Sequence, residues 1–371
     1  MRKDFLNITA RIAKKLHMQN AVYIVLKHMP FREPHMDESE QYLDKLYPEK
    51  KNSCICENTI SNNPRYDVQV IIPVYNVEKY VQECIESVLH QQTKYSYQAI
   101  LVNDGSTDTS RTLLENYAQR PNITIIDKPN GGLSSARNIA LQNIDARYVL
   151  FVDSDDYISE NAIEQLVSKA DALSADIVEG NHRYFQNSKT LRISSHKEAF
   201  GADLQLFGMA CGKVYKAHIW QRISFPLGYW FEDTINWLLI YAMPLKKVTI
   251  PDVLYHYRAN PTSITLGNNS SPRRLETYWI TKQLLADAKN IGIQPTQLYY
   301  ETFLRQCRLN TSRVAILGDR KADFALFEAH RQLRDTYFKD MHAQGEKEKR
   351  IESALLNDDF KEYLLYCLFL Y

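Results

Sequence analysis

The sequence predicts an α/β protein built on a mainly parallel sheet with helices on both faces. Short apolar runs alternate with stretches of helical period between Asp67 and Val152. The runs are apolar at nearly every position, as in strands covered on both sides. Each run is followed by a polar or glycine-rich segment, which places those segments at the carboxyl edge of the sheet, where such folds bind ligands.

The elements follow in chain order. Residues 68–72 form the first strand, ending at Pro73, and Val77, Tyr80, Val81, Cys84, Ile85, Val88 and Leu89 then recur at helical spacing. Residues 99–102 form a second strand, followed by Asp104-Gly105-Ser106-Thr107-Asp108, a turn supplied with helix caps. A helix then runs to about Gln119, residues 123–126 form a third strand, Ser134 opens a helix carrying Ala136, Ile139 and Ala140, and 148–152 form a fourth strand. After about Asn181 the rhythm loosens. Residues 200–265 are rich in aromatics, and from about Ser271 the pattern is helical up to the apolar 363–371. Upstream, Ile8, Ile12, Leu16, Val22, Ile24 and Val25 make an apolar stripe among Arg2, Lys3, Arg11, Lys14, Lys15 and Lys27, and the polar residues 34–64 read as a linker. The expected organisation is a basic amphipathic extension and linker over 1–65, an α/β domain over 66–265 and a helical region over 266–371.

Composition narrows the function. A chain of 371 residues with 44% hydrophobic and 24% charged residues can bury a sizeable core. A net charge of +1 gives no field that would draw nucleic acid, so an anionic ligand must be met locally. The six scattered cysteines read as reduced thiols of a cytoplasmic protein, and the lone Cys54/Cys56 pair lacks the partner pair of a zinc knuckle. No apolar run is long enough to span a bilayer. A basic amphipathic stripe can lie on the inner face of an anionic membrane, pack on the protein itself, or build a homodimer.

The four strand ends carry the candidate chemistry. Asp153-Ser154-Asp155 places two carboxylates on one side if the extended backbone persists. Oxygen-only donors suit Mn²⁺ or Mg²⁺, which would bridge the phosphates of a nucleotide diphosphate and neutralise the leaving group. The plainer alternative is capping of the next helix. Asp104 can accept a hydrogen bond from a nucleobase or simply cap a helix. The turn at Asn130, Gly131 and Gly132 feeds a helix whose amides and Arg137 can face phosphate, though glycines also serve any tight turn. Glu232-Asp233 sits among aromatics, where a carboxylate can be tuned as a general base or can cap the helix that follows. Lys213, Glu232 and Arg258 are candidate phosphate or acceptor contacts and His256 a candidate metal or phosphate ligand, against the ordinary reading of a solvated lysine and a packed histidine.

Taken together these stretches resemble the family 2 glycosyltransferases. The resemblance runs from about Asp67 to about Thr265 and rests on Val70-Ile71-Ile72-Pro73-Val74-Tyr75-Asn76, Val102-Asn103-Asp104-Gly105-Ser106, Asn130-Gly131-Gly132-Leu133-Ser134-Ser135-Ala136-Arg137-Asn138 and Phe151-Val152-Asp153-Ser154-Asp155-Asp156. It implies a GT-A (Rossmann-like) fold and an inverting transfer of sugar from a nucleotide donor, usually a UDP-sugar, to a hydroxyl of a glycan or lipid-linked acceptor. Pro73, Val74, Tyr75 and Asn76 would line the nucleobase pocket and Asp104 would bind the base. Asn130, Gly131, Arg137, Asp153 and Ser154 would hold the rest of the nucleotide. Asp155 would ligate the metal, with His256 as a further ligand. Asp233 matches the catalytic base, beside Glu232. Two other readings stand against it. A nucleotidyltransferase should open with a glycine-rich loop where Pro-Val-Tyr-Asn stands, and a non-catalytic nucleotide-sugar-binding scaffold would not need Asp153, Asp155 and Asp233.

Overall fold

The computed structural model describes residues 5–31, 33–34, 38–260 and 270–370. Contacts divide the chain into two compact units. The sheet unit is Cys54–Gly228 with Met243–Leu266; the helical unit is Met1–Ser53, Tyr229–Ala242 and Gly267–Tyr371.

The sheet unit is a mixed α/β layer. Its leading strands are β1 (Tyr66–Val74), β2 (Tyr97–Asn103), β3 (Ile123–Asp127) and β4 (Ala146–Phe151). β1 pairs in parallel with β2 and β4, and β2 with β3, so all four carboxyl ends share one edge. Val68, Val70, Ile71, Ile72, Leu101, Val102, Val149, Leu150 and Phe151 are completely buried, as expected of strands covered on both faces. Helices α1 (Val81–Leu89), α2 (Ser110–Glu115), α3 (Leu133–Leu141) and α4 (Ala162–Leu173) supply the connections and the cover.

Beyond α4 the sheet continues through β5 (Ile177–Gln186), β6 (Lys189–Ile193), β7 (Lys213–Lys216) and β8 (Lys247–Arg258). β7 runs antiparallel between β4 and β5, and β8 is parallel to β5. Sequence periodicity loosens here because β5 carries buried Glu179, Asn181 and His182 where an apolar ladder would be expected. The charge on Glu179 is held by Lys213, the His196 imidazole at 2.9 Å and the Phe207 amide at 2.9 Å. Gly212, at φ +77°, is the close approach that admits His182, since a Cβ there would lie 2.0 Å from its Nε2.

The helical unit gathers pieces distant in sequence. The expected linker contains a helix, Ser39–Leu46, with Leu43 fully buried. It was hidden by its polar composition and is tied down by Tyr42 Oη donating to Asp319 at 2.8 Å and Tyr47 Oη to Glu276 at 2.8 Å. Glu276–Asn290, Gln297–Val314, Arg320–Tyr337 and Glu346–Leu356 are helices, as the periodicity predicts. The apolar end of the chain docks on the protein: Leu365 and Phe369 form a core with Ala13, Tyr23 and Leu26 of the first helices.

Candidate active site

The carboxyl edge of β1 to β4 is built from the backbone outward. Asn76 leaves β1 at φ +52°, and its Oδ1 accepts from the Thr107 amide at 2.8 Å, fastening β1 to the turn after β2. Gly105 in that turn has φ +70°, and a Cβ there would stand 2.8 Å from the Asn130 nitrogen, so a side chain would push the two loops apart. Asp104 binds them together. Its Oδ1 accepts from Lys128 and from the Gly131 amide at 2.9 Å, and its Oδ2 accepts from the Gly132 amide at 2.7 Å. Lys128, which the sequence reading passed over, is therefore part of the site. Its signal was faint, a lone lysine before Pro129. A carboxylate offers about four lone-pair positions, so Oδ2 keeps one for a further donor.

α3 begins at this turn and carries Arg137, which is 1% exposed. One of its terminal nitrogens donates to Asp153 Oδ1 at 2.8 Å while the guanidinium lies 4.9 Å from the Phe225 ring centroid. The adjacent Asn138 clasps the backbone of Phe225 at 2.8 Å through both of its amide atoms. Arg137 is thus a buried cation paired with Asp153.

The backbone does not stay extended after β4. It turns, with the Asp156 amide donating to the Asp153 carbonyl at 3.0 Å. The turn, not strand alternation, brings the Asp153 and Asp155 charges together. Burial and then the neighbouring Asp153 charge push the Asp155 carboxyl up to about 6. Asp156, which the sequence reading did not select, is the anchor: Oδ2 accepts from Tyr255 Oη at 2.7 Å and Oδ1 from the Arg258 amide at 2.6 Å. Arg258 also donates through Nε to the Asp155 carbonyl at 2.7 Å. Its place is under the turn, with its far nitrogen on Glu83. These partners lie about a hundred residues on, which is why no local pattern announced them.

His256 is on β8, directly across from Tyr157 and stacked on its ring at 4.3 Å. Its Nε2 meets Ser159 Oγ at 2.9 Å, and that hydroxyl donates to the Val253 carbonyl at 2.8 Å, so Nε2 carries the proton and Nδ1 the lone pair. Burial, then Arg183, pulls its pKa down to about 4, so the ring is neutral. Lys213, expected as a phosphate or acceptor contact, is instead completely buried against Glu179 and the Phe207 carbonyl. Its pairing neutralises a charge that β5 takes inside.

Glu232 and Asp233 lie in the helical unit, just before the π-helical turn Asn236–Ile240. Glu232 is buried and Asp233 half-buried, so the pair is not an exposed cap. Arg313 faces them with its guanidinium 3.8 Å from the Phe231 ring centroid. Its pKa is pulled down to about 9 by burial and by Arg274 and Arg308, against the attraction of Glu232 and Asp233.

The residues fit a divalent cation. Asp153 and Asp155 are oxygen donors whose mutual repulsion a positive ion would relieve. His256, expected as a further ligand, follows Tyr255 on β8 and so lies on the other face of the strand from the Tyr255–Asp156 contact, with its Nδ1 buried. Among the described residues no group of three or more His, Cys, Asp or Glu side chains gathers as a ready cage. Such an ion would share its shell with substrate phosphates, the usual arrangement for Mg²⁺.

Comparison with known proteins matches residues 69–229 to the model of Glycosyl transferase family 2. GlyA of Streptococcus pneumoniae, a glycosyltransferase, is 32% identical over 287 residues, covering 66% of this chain and 41% of GlyA, so the match spans less than half of that relative. GlyG of the same organism, also a glycosyltransferase, is 30% identical over 218 residues, covering 53% of this chain and 72% of GlyG. Among solved structures, residues 1–349 of Staphylococcus aureus TarS, in complex with UDP-GlcNAc, superpose with a TM-score of 0.55 at 19% identity, over 80% of this chain and 89% of that one. The shared fold is the GT-A arrangement.

Proposed function

The chain belongs to glycosyl transferase family 2, and from that premise we propose that it is an inverting glycosyltransferase that moves a sugar from a UDP-sugar to a hydroxyl of a glycan or lipid-linked acceptor at the cytoplasmic face of a membrane. The observation that carries the proposal is the convergence of Asp104, the Asn130–Gly132 turn, Arg137 and the Asp153–Asp156 turn on one sheet edge. The UDP-GlcNAc held by TarS supports a uridine donor.

In this reading the exposed Tyr75 and Asn76 border the base, with Pro73 and Val74 buried beneath them, and the remaining lone pair of Asp104 accepts from the base. Asn130, Gly131, Asp153 and Ser154 hold the ribose and phosphates, and Arg137 fixes Asp153 in place. Mn²⁺ or Mg²⁺, held by Asp155, would neutralise charge on the departing diphosphate. Asp233 takes the proton from the acceptor hydroxyl, whose oxygen attacks the anomeric carbon from the face opposite the nucleotide. The bond from that carbon to the phosphate oxygen breaks, its electron pair leaves with UDP, and one displacement inverts the centre.

Asp233→Asn separates chemistry from binding. Transfer should fall by roughly 10²–10⁴-fold, the range of a lost general base, while the Kd for UDP stays near wild type. An Asn variant that turns over normally would remove Asp233 from the mechanism.

A further inference from the structure

Two helices lead the chain, Phe5–Lys15 and Gln19–His28, joined through His17 at φ +54°. Their inner face is accounted for: Ala13, Tyr23 and Leu26 are buried on Leu365 and Phe369, with Leu6, Ala10 and Val22 beside them. Their outer face is apolar as well. Ile12 is 54% exposed, Leu16 59%, Ile24 57% and Val25 61%, with Met18 between them at the corner. The Leu16 amide donates to the Ile12 carbonyl at 3.0 Å, which carries the turn past Lys15 and puts the two on one side, while Met18 stands at the start of the second helix and Val25 two turns on.

Charge tells what this face meets. From Phe5 to Met29 there is no Asp or Glu, while Arg11, Lys14, Lys15 and Lys27 are present in a chain whose whole net charge is +1. Lys27 is exposed too but is tied to Tyr23 and Glu362, whereas Lys14 and Lys15 are exposed beside Leu16. An apolar strip edged by cations with long aliphatic stems is suited to the boundary between headgroups and acyl chains. A second copy is the poorer occupant, because a two-fold contact on this face would bring the same lysines toward each other without a carboxylate in the segment. Among the described residues no helix is long and apolar enough to cross a membrane.

We infer that the outer face of the two leading helices is a docking surface for an anionic lipid bilayer. It sharpens the membrane element of the proposed function but stands on its own observations. The assay below contains no nucleotide sugar, so its outcome is independent of the transfer chemistry.

The test is sedimentation of the full chain with vesicles of phosphatidylcholine alone or mixed with phosphatidylglycerol. The chain should pellet with the anionic vesicles and stay in solution with the neutral ones, and added salt should release it. Ile24→Asp with Val25→Asp, and separately Lys14→Glu with Lys15→Glu, should each weaken partition by roughly tenfold or more. Both variants should melt at the wild-type temperature, because the changed side chains are exposed. Failure to pellet, equal binding to neutral vesicles, or wild-type partition by both variants would overturn the inference. A dimer in light scattering that the Ile24/Val25 variant dissociates would overturn it too, giving the face to a second copy.

Discussion

Asp155 pairs a structural cost with a chemical use. Its carboxylate is half-buried beside Asp153, and the hydrogen bonds of Asp156 to Tyr255 and Arg258 hold the turn that keeps them together. Arg137 offsets the charge on Asp153, and the turn keeps the two carboxylates side by side despite their repulsion, as expected where a cation is to be gripped. Asp155→Asn removes that repulsion, so the variant without metal should melt no lower than wild type. With UDP present, Mn²⁺ should raise the wild-type Tm and leave the variant unmoved. Turnover should drop by about two to three powers of ten, since charge stabilisation by a bound ion amounts to several kcal/mol. A variant that keeps its Mn²⁺-dependent Tm shift would take Asp155 out of the metal site. At this scale residue types were legible, because Asp, Gly and Arg at strand ends are visible in sequence. Partners were not: Asp104 with Lys128, Asp156 with Tyr255 and Lys213 with Glu179 are set by which strands neighbour each other.

Elements were legible where burial was apolar and local. β1 to β4 declared themselves, whereas β5 hides Glu179, Asn181 and His182 inside, and Ser39–Leu46 shows a polar sequence around one buried leucine. The helix Arg320–Tyr337 shows how an element can carry an unrelieved cost. Asp319 caps it, accepting from the Lys321 amide at 3.0 Å, but Asp323 one turn on is buried with Oδ1 unbonded. Burial, opposed by Arg320, pushes its carboxyl up to about 7 from the 3.8 of an open chain. The folded state therefore holds this proton more tightly than the unfolded state. The stability tied to it is complete below the unfolded pKa and is lost as pH rises through the folded one. Asp323→Asn should hence change urea stability little near about pH 4 and raise it by on the order of 3 kcal/mol at about pH 8. Equal effects at both pH values would mean that Asp323 is charged in the fold.

The helical unit joins both ends of the described chain, and sequence alone could not join them. The apolar stripe of the first helices and the apolar last residues each left open whether protein, partner or lipid would cover them. The structure answers for one face of each: Tyr23 donates to Glu362 at 2.5 Å, and Lys361 donates to the Met29 carbonyl at 2.8 Å, beside the core of Ala13, Leu26, Leu365 and Phe369. Contacts more than three hundred residues apart leave no periodic trace in either segment. They make the leading helices part of the fold, whatever their outer face meets. Removing residues 1–30 keeps Phe31 against Phe360, 5.7 Å between ring centroids, but bares Leu365 and Phe369. Exposing two large apolar side chains costs about 3–6 kcal/mol. The first calorimetric transition of the shortened chain should therefore fall by on the order of 10 °C, with a rise in binding of an apolar dye. UDP binding, whose proposed residues all lie in the sheet unit, should persist at temperatures below that transition. An unchanged transition would mean that the leading helices are an appendage, and that the end of the chain is held by the helices of 297–356 alone.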